Sequence, residues 1–273
     1  MAAVLMLGFT SMHYREADDA YFEIVEEHGP TLFGSVKQTA FPNTYRAMFG
    51  FCAKTNSLKT AMFDSIASNN PYAFRILFRC FCEHYLKFMY IWARFLNENT
   101  DTIGTEYFSF CGAVEAQDYV SAITMAEGLL GNAVVADVQH LLGNLYPEAA
   151  KLSRRELEQK ANQFKYRAIL RSLADESFGF VAKERPFLAQ IVPAYALLSS
   201  FVHGGPYTDM EIGGYSEPKA LAECENDVQV AFMMVASVFM LTAAAVSREQ
   251  PEFASIGAKV SSVIKRFVQE SGE

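Results

Sequence analysis

The stretch spanning residues 70–97, NPYAFRILFRCFCEHYLKFMYIWARFLN, constrains this chain more than any other. Asn69 and Asn70 offer capping side chains, Pro71 suits a first helical position, and no Gly or Pro interrupts the next seven or so turns. One long, largely buried helix is the expected result. Apolar residues recur at Phe74, Leu77, Phe78, Phe81, Tyr85, Phe88, Trp92 and Phe95, and this three-and-four spacing makes one broad aromatic face. On another line Arg75, Arg79, Glu83 and Lys87 follow at intervals of four, so their side chains stack along the helix. Two readings of that line stay open. It can be a solvated ladder of ion pairs, each worth about 0.2–0.5 kcal/mol. Alternatively, Arg79 and Glu83 are sheltered beside a cleft, where burial makes pairing obligatory and Arg79 can hold an anion.

The remaining composition narrows the class. Apolar residues make up 51% of 273 residues, with 23 Phe and 13 Tyr, which excludes a disordered chain. Nine prolines, long helix-period stretches and few alternating runs predict an all-α multi-helix bundle. The net charge of −8 makes the surface as a whole repel nucleic acid and anionic membrane, so either would need a local basic patch. Cys52, Cys80, Cys82, Cys111 and Cys224 are odd in number, lie in apolar helical surroundings and lack zinc-site spacing. Reduced thiols in a cytoplasmic protein are expected. Residues 2–9 are apolar but lack a cationic region before them and a cleavage site after them, so no signal peptide is read. Residues 228–246 have the length of a bilayer span. Gln229, Ser237, Thr242, the Ala content and the lack of flanking basic residues before Arg248 favour a central bundle helix and no membrane. There is no Gly-rich phosphate loop, G-x-S-x-G elbow or H-E-x-x-H, so neither a cofactor nor a metal is expected.

Along the chain, residues 1–68 read as an N-terminal region of short helices, over 16–27, 31–40, 44–53 and 57–68, packed on a core formed by 69–273. His13 and His28 stand alone and read as surface or capping residues. A polar loop is expected over 97–105, one or two helices over 106–131, and a further helix over 133–145 in which Asp137 and His140 form an ordinary ion pair. Ser153 to Glu156 is a capping box for a helix running to about 176, whose Arg154, Arg155, Lys160, Lys165, Arg167 and Arg171 read as a solvated face, with an anion-facing patch as the alternative. In the segment 183–207, Pro186 can start a helix that Pro193 kinks or restarts as a fresh turn, and Tyr195, Ser199 and His203 form one polar line before Gly204-Gly205-Pro206 ends it. By spacing alone His203 reads as a core histidine satisfied by a carbonyl or carboxylate. A Gly-rich loop to about 218, an apolar helix over 219–248 and an amphipathic helix over 251–269 complete the chain.

Taken together, aromatic-Arg-x3-Glu-His-x2-Lys on the long helix and Tyr-x3-Ser-x3-His-Gly some hundred residues later resemble the HEPN superfamily, over roughly residues 70–207. These are helical prokaryotic proteins, many of them from toxin–antitoxin and phage-defence systems. The superfamily signature is an Arg, four to six residues, then a His; Arg79-Cys80-Phe81-Cys82-Glu83-His84 matches the shorter form. The resemblance implies a HEPN-like core around a long central aromatic helix, acting as a homodimer and a metal-independent endoribonuclease or toxin on RNA. Arg79 would then stabilise phosphate charge and His84 act as general acid or base. Five helical steps put His84 about 140° round from Arg79, whereas Glu83 shares its side. A second arrangement joins Arg79 and Glu83 to Tyr195, Ser199 and His203 within one chain, with Lys87 beside them, as a phosphate or nucleotide site. The same cluster can instead be a buried network that docks two helices in a non-catalytic module that senses or scaffolds a protein partner.

Overall fold

The computed structural model describes residues 13–132, 138–175, 185–213 and 218–270. The protein is an all-α multi-helix bundle, and no strand occurs among the described residues. α1 (His13–Ser35) and α2 (Pro42–Ala67) run antiparallel, with Phe33 against Phe49 at one end and Tyr14 against Phe63 at the other. The four short helices expected here are therefore two long ones. Pro30 sits inside α1, where the lost hydrogen bond is offset by burial of Tyr21, Leu32 and Val36 on the same side of the chain. In α2 the polar run that looked like a break stays helical because Phe51, Thr55, Lys59 and Met62 are buried along one side; the Thr55 and Ser57 hydroxyls are satisfied by the Phe51 and Ala53 carbonyls at 2.7 and 2.9 Å.

α3 (Pro71–Glu98) is the expected axial helix. Asn70 caps it by accepting the Ala73 N–H at 3.1 Å, and Asn99 ends it in the left-handed conformation at φ 48°. Phe74, Phe81, Phe88 and Phe95 are wholly buried, each contributing about 1.5–3 kcal/mol. They belong to one core cluster that extends from Tyr14 to Phe267, so the N-terminal helices share the core of the rest.

The polar loop expected after α3 is short, because α4 (Thr102–Glu106) begins almost at once. Asp101 holds it against α2: its carboxylate accepts the Asn43 N–H at 3.1 Å and the Thr44 N–H at 2.7 Å, at the positive end of that helix. A π-helical segment, Tyr107–Cys111, leads directly into α5 (Gly112–Leu129). α6 (Val138–Leu145), α7 (Pro147–Ala150) and α8 (Arg154–Ala161) close a smaller core around Phe110, Ala113, Leu142, Ala149 and Leu157. Asp137 lies outside the described residues. The Ser153–Glu156 capping box forms as expected. The helix it opens does not reach 176: a 3-10 turn, Asn162–Phe164, and an extended Lys165 at ψ 145° separate it from α9 (Tyr166–Ala174). No Gly or Pro marks that break. Phe164 turns inward there, 2% exposed, with its ring meeting that of Tyr90.

α10 (Arg185–His203) runs through Pro193. The expected Gly-rich loop then contains a further helix, α11 (Pro206–Ile212). α12 (Pro218–Val246), a 3-10 turn Pro251–Phe253 and α13 (Ala254–Glu270) complete the order. α12 is long and apolar enough to cross a membrane, yet 67% of its most apolar window is buried inside the bundle.

Gly104 shows how tightly α4 sits on α2. A Cβ there would lie 2.2 Å from the Thr44 backbone nitrogen, whereas one at Gly50 would meet nothing within 4 Å. Gly104→Ala should therefore cost about 1–3 kcal/mol or more, and Gly50→Ala should be neutral or stabilising by up to about 1 kcal/mol. Urea denaturation of the two variants checks this, with equal midpoints as the contrary result.

Candidate functional site

Because α3 is buried among several helices, Arg75 and Arg79, one turn apart on its charged line, meet different neighbours. At the first turn Arg75 faces α12, where Nη1 donates to Asp227 Oδ2 at 2.5 Å and Nη2 to Glu223 Oε2 at 3.2 Å. One turn on, Arg79 lies between α3 and α10. Its Nη1 donates to Glu83 Oε2 and its Nη2 to the Tyr195 hydroxyl, both at 2.5 Å, with the guanidinium carbon 4.5 Å from the centre of the Tyr195 ring. Lys87 Nζ donates to the other oxygen of Glu83 at 2.9 Å. Tyr195 in turn stacks on Tyr166 of α9, ring centres 3.7 Å apart and planes 11° apart, and Tyr166 donates to the Val192 carbonyl at 3.0 Å.

The side chains of Arg79, Glu83 and Lys87 are 18%, 26% and 26% exposed, which decides between the two sequence readings: the line is sheltered without being sealed. Burial alone would push the Glu83 carboxyl up. The hydrogen bonds and charges of Lys87 and Arg79 outweigh it and hold that carboxyl below its ordinary value. Burial and the neighbouring Glu83 push the Tyr195 phenol up, so it remains a neutral donor and acceptor. Burial raises Asp227 to about 6 despite Arg75.

The expected site residues separate into two groups. Arg79, Glu83, Lys87 and Tyr195 come together. His84 lies on the α2 side of α3, where its Nδ1 is 2.7 Å from the Cys80 carbonyl and its ring meets Phe51 at 6.1 Å. Burial, with Lys87 and Lys54 nearby, lowers its pKa. Ser199 donates to the Tyr195 carbonyl at 2.8 Å and so stays within α10. His203 is exposed in the last turn, not buried as its spacing suggested, and no hydrogen bond or ion pair among the described residues ties it to Arg79 or Glu83. Among those residues no group of three or more His, Cys, Asp or Glu side chains could hold a metal ion.

No family model, curated protein or solved structure matches this chain. The site therefore stands on its geometry. Arg79 has both terminal nitrogens engaged by protein groups, while its Nε is buried without a partner. The guanidinium thus links Glu83 of α3 to Tyr195 of α10.

Sequence reasoning missed several members of these networks. Glu223 and Asp227 lie one turn apart at the start of a helix that becomes apolar beyond them, a signal that they needed a cation. Tyr166 carried no signal. At the far end of α3, Arg94 joins Glu98, Glu106 and Gln163 at 2.5, 2.9 and 2.8 Å, a network drawn from three separate segments. Lys59, 1% exposed and paired with Asp18, was also invisible, since burial of a lone Lys is rare.

A native carboxyl held below its ordinary value of 4.5 stabilises the fold above that value and loses the contribution as pH falls through its native pKa. At pH 7, Glu83→Gln should therefore lower stability by about 1–3 kcal/mol. The gap between variant and wild type should close as pH falls below about 4.5. Denaturant titrations across that range measure it; a gap that widens on acidification contradicts the assignment.

Proposed function

We propose that this chain is a non-catalytic helical module that senses or scaffolds a partner, and that its Arg79–Glu83–Tyr195 cluster is a structural fastening between α3 and α10. One observation carries the reading: Arg79 spends its terminal nitrogens on Glu83 and Tyr195, while His84 faces α2 and His203 faces solvent. Charge points the same way. A protein of net charge −8 approaches RNA against an unfavourable field unless a basic patch overrides it. A cytoplasmic setting without a membrane span is part of this proposal; for α12, the burial of 67% of its most apolar window inside the bundle supports a bundle helix.

A second reading keeps the HEPN-like endoribonuclease or toxin, acting on RNA as a homodimer. The observation favouring it is His84: its lowered pKa leaves a neutral imidazole near pH 7, the form a general base requires, five residues from Arg79. Catalysis would then need the two groups to be supplied from two chains.

Incubating the purified protein with structured RNA separates these readings. The module reading expects no cleavage, and expects Arg79→Ala to lower unfolding stability by about 1–3 kcal/mol because Glu83 and Tyr195 lose their partner. RNA cleavage that disappears in both Arg79→Ala and His84→Ala would establish the nuclease instead. An Arg79→Ala protein as stable as wild type would remove the fastening role.

A further inference from the structure

On the face of the bundle formed by α1 and α2, away from the fastening, lies a groove of about 690 Å³. That volume is within the range of about 300–1,000 Å³ typical of small-molecule sites. Its floor is kept low by small residues of α2, Gly50 and Ala53, and a Cβ at Gly50 would enter open space. Its rim carries Phe22 and Phe33, 44% and 56% exposed, an apolar display with no covering segment among the described residues. The wall opposite α1 is the π-helical segment, which brings Tyr107 and Phe108 to the groove; such segments recur at functional sites.

Charge on this groove is uneven. Arg46 and Lys54, two turns apart on α2, line it beside those aromatics: Arg46 lies 4.5 Å from the centre of the Phe108 ring, and Lys54 Nζ lies 3.4 Å from the Tyr107 hydroxyl. Neither cation has a carboxylate partner among the described residues, and each lies against aromatic rings, Arg46 over Phe108 and Lys54 over Phe51. Glu26 on α1 is the single carboxylate of the lining. It would repel an anion from the α1 side and leave the α2 cations to receive it. Asn56, also in the lining, has a buried carbonyl oxygen without a donor.

We propose that the groove binds a single-chain amphipathic carboxylate, its aliphatic tail lying over Gly50 between Phe22 and Phe33 and its head group held by Arg46 and Lys54. The apolar floor gives affinity and the unpaired cations give the preference for an anion. This goes beyond the module reading and rests on a different face, so Tyr195→Phe should leave it unaffected.

Calorimetric titration with decanoate below its micelle concentration provides the test, with decan-1-ol and decyltrimethylammonium as comparators. Decanoate should bind saturably and about tenfold more tightly than the alcohol, as expected for charge-assisted hydrogen bonds. The ammonium should bind more weakly still. Gly50→Leu, which fills the groove where space is open, should abolish binding of all three. Arg46→Ala combined with Lys54→Ala should reduce decanoate to the level of the alcohol while leaving the alcohol unchanged, and this arm stands even if Gly50→Leu fails to fold. The proposal fails if decanoate binds no tighter than decan-1-ol. It fails equally if the double variant keeps the preference, or if only phosphatidylglycerol vesicles and no monomeric decanoate are bound.

Discussion

The whole bundle depends on burying α3 together with a charged edge. A helix with Phe74, Phe81, Phe88 and Phe95 fully removed from water contributes much of the core. It also carries Arg75, Arg79 and Arg94 into surroundings where an unpaired cation would cost several kcal/mol. The solution is to give each arginine its own neighbour. Arg75 is met by Asp227 and Glu223 from α12, Arg79 by Tyr195 from α10 and by Glu83 of α3 itself, and Arg94 by Glu106 and Gln163 from the segments that follow. Hydrophobic burial is non-directional and would tolerate sliding and rotation of the packed helices. The ion pairs are directional, and so fix the register of the helices around α3.

The same pairing engages the titratable groups of the Arg79 cluster with one another. Tyr195 is clamped from both faces, by the Arg79 guanidinium and the Tyr166 ring, and its hydroxyl is shared with Arg79 and Glu83. Such a stack is rigid and leaves few hydrogen-bonding positions open to a ligand. The opposite balance holds in the groove between α1 and α2. Its cations face aromatic rings instead of carboxylates, and its apolar rim is exposed. Polar groups that fold together satisfy one another, while those left unpaired beside an apolar depression are available to something else.

Much of the fold was legible in the chain. Asn70, Pro71 and the aromatic spacing located α3 to within a residue or two at each end, and Ser153 with Glu156 located the start of α8, because caps and periodicity are local properties. The i,i+4 line also announced the Arg79–Glu83–Lys87 contacts. The joining of the N-terminal helices was not legible, since Pro30 and the polar run around Thr55 are local breakers overridden by packing. Nor was the break at Lys165, which follows from where Phe164 finds room in the core. His203 looked like a partner for Arg79 by spacing, but spacing gives the face of a helix and not how far along a neighbour that face extends.

By itself, therefore, the sequence determined the all-helical class, the axial helix, its caps and the residues along its charged edge, all of which depend on interactions within a few turns. Tertiary structure alone decided which helices supply Asp227, Tyr195, Tyr166 and Gln163, and that the side of α3 carrying His84 packs on α2. It also decided that Arg46 and Lys54 of α2 line a groove with no carboxylate partner among the described residues. These outcomes depend on contacts between residues distant in the chain, and such contacts leave no periodic trace because any of several helices could have supplied the same chemical group.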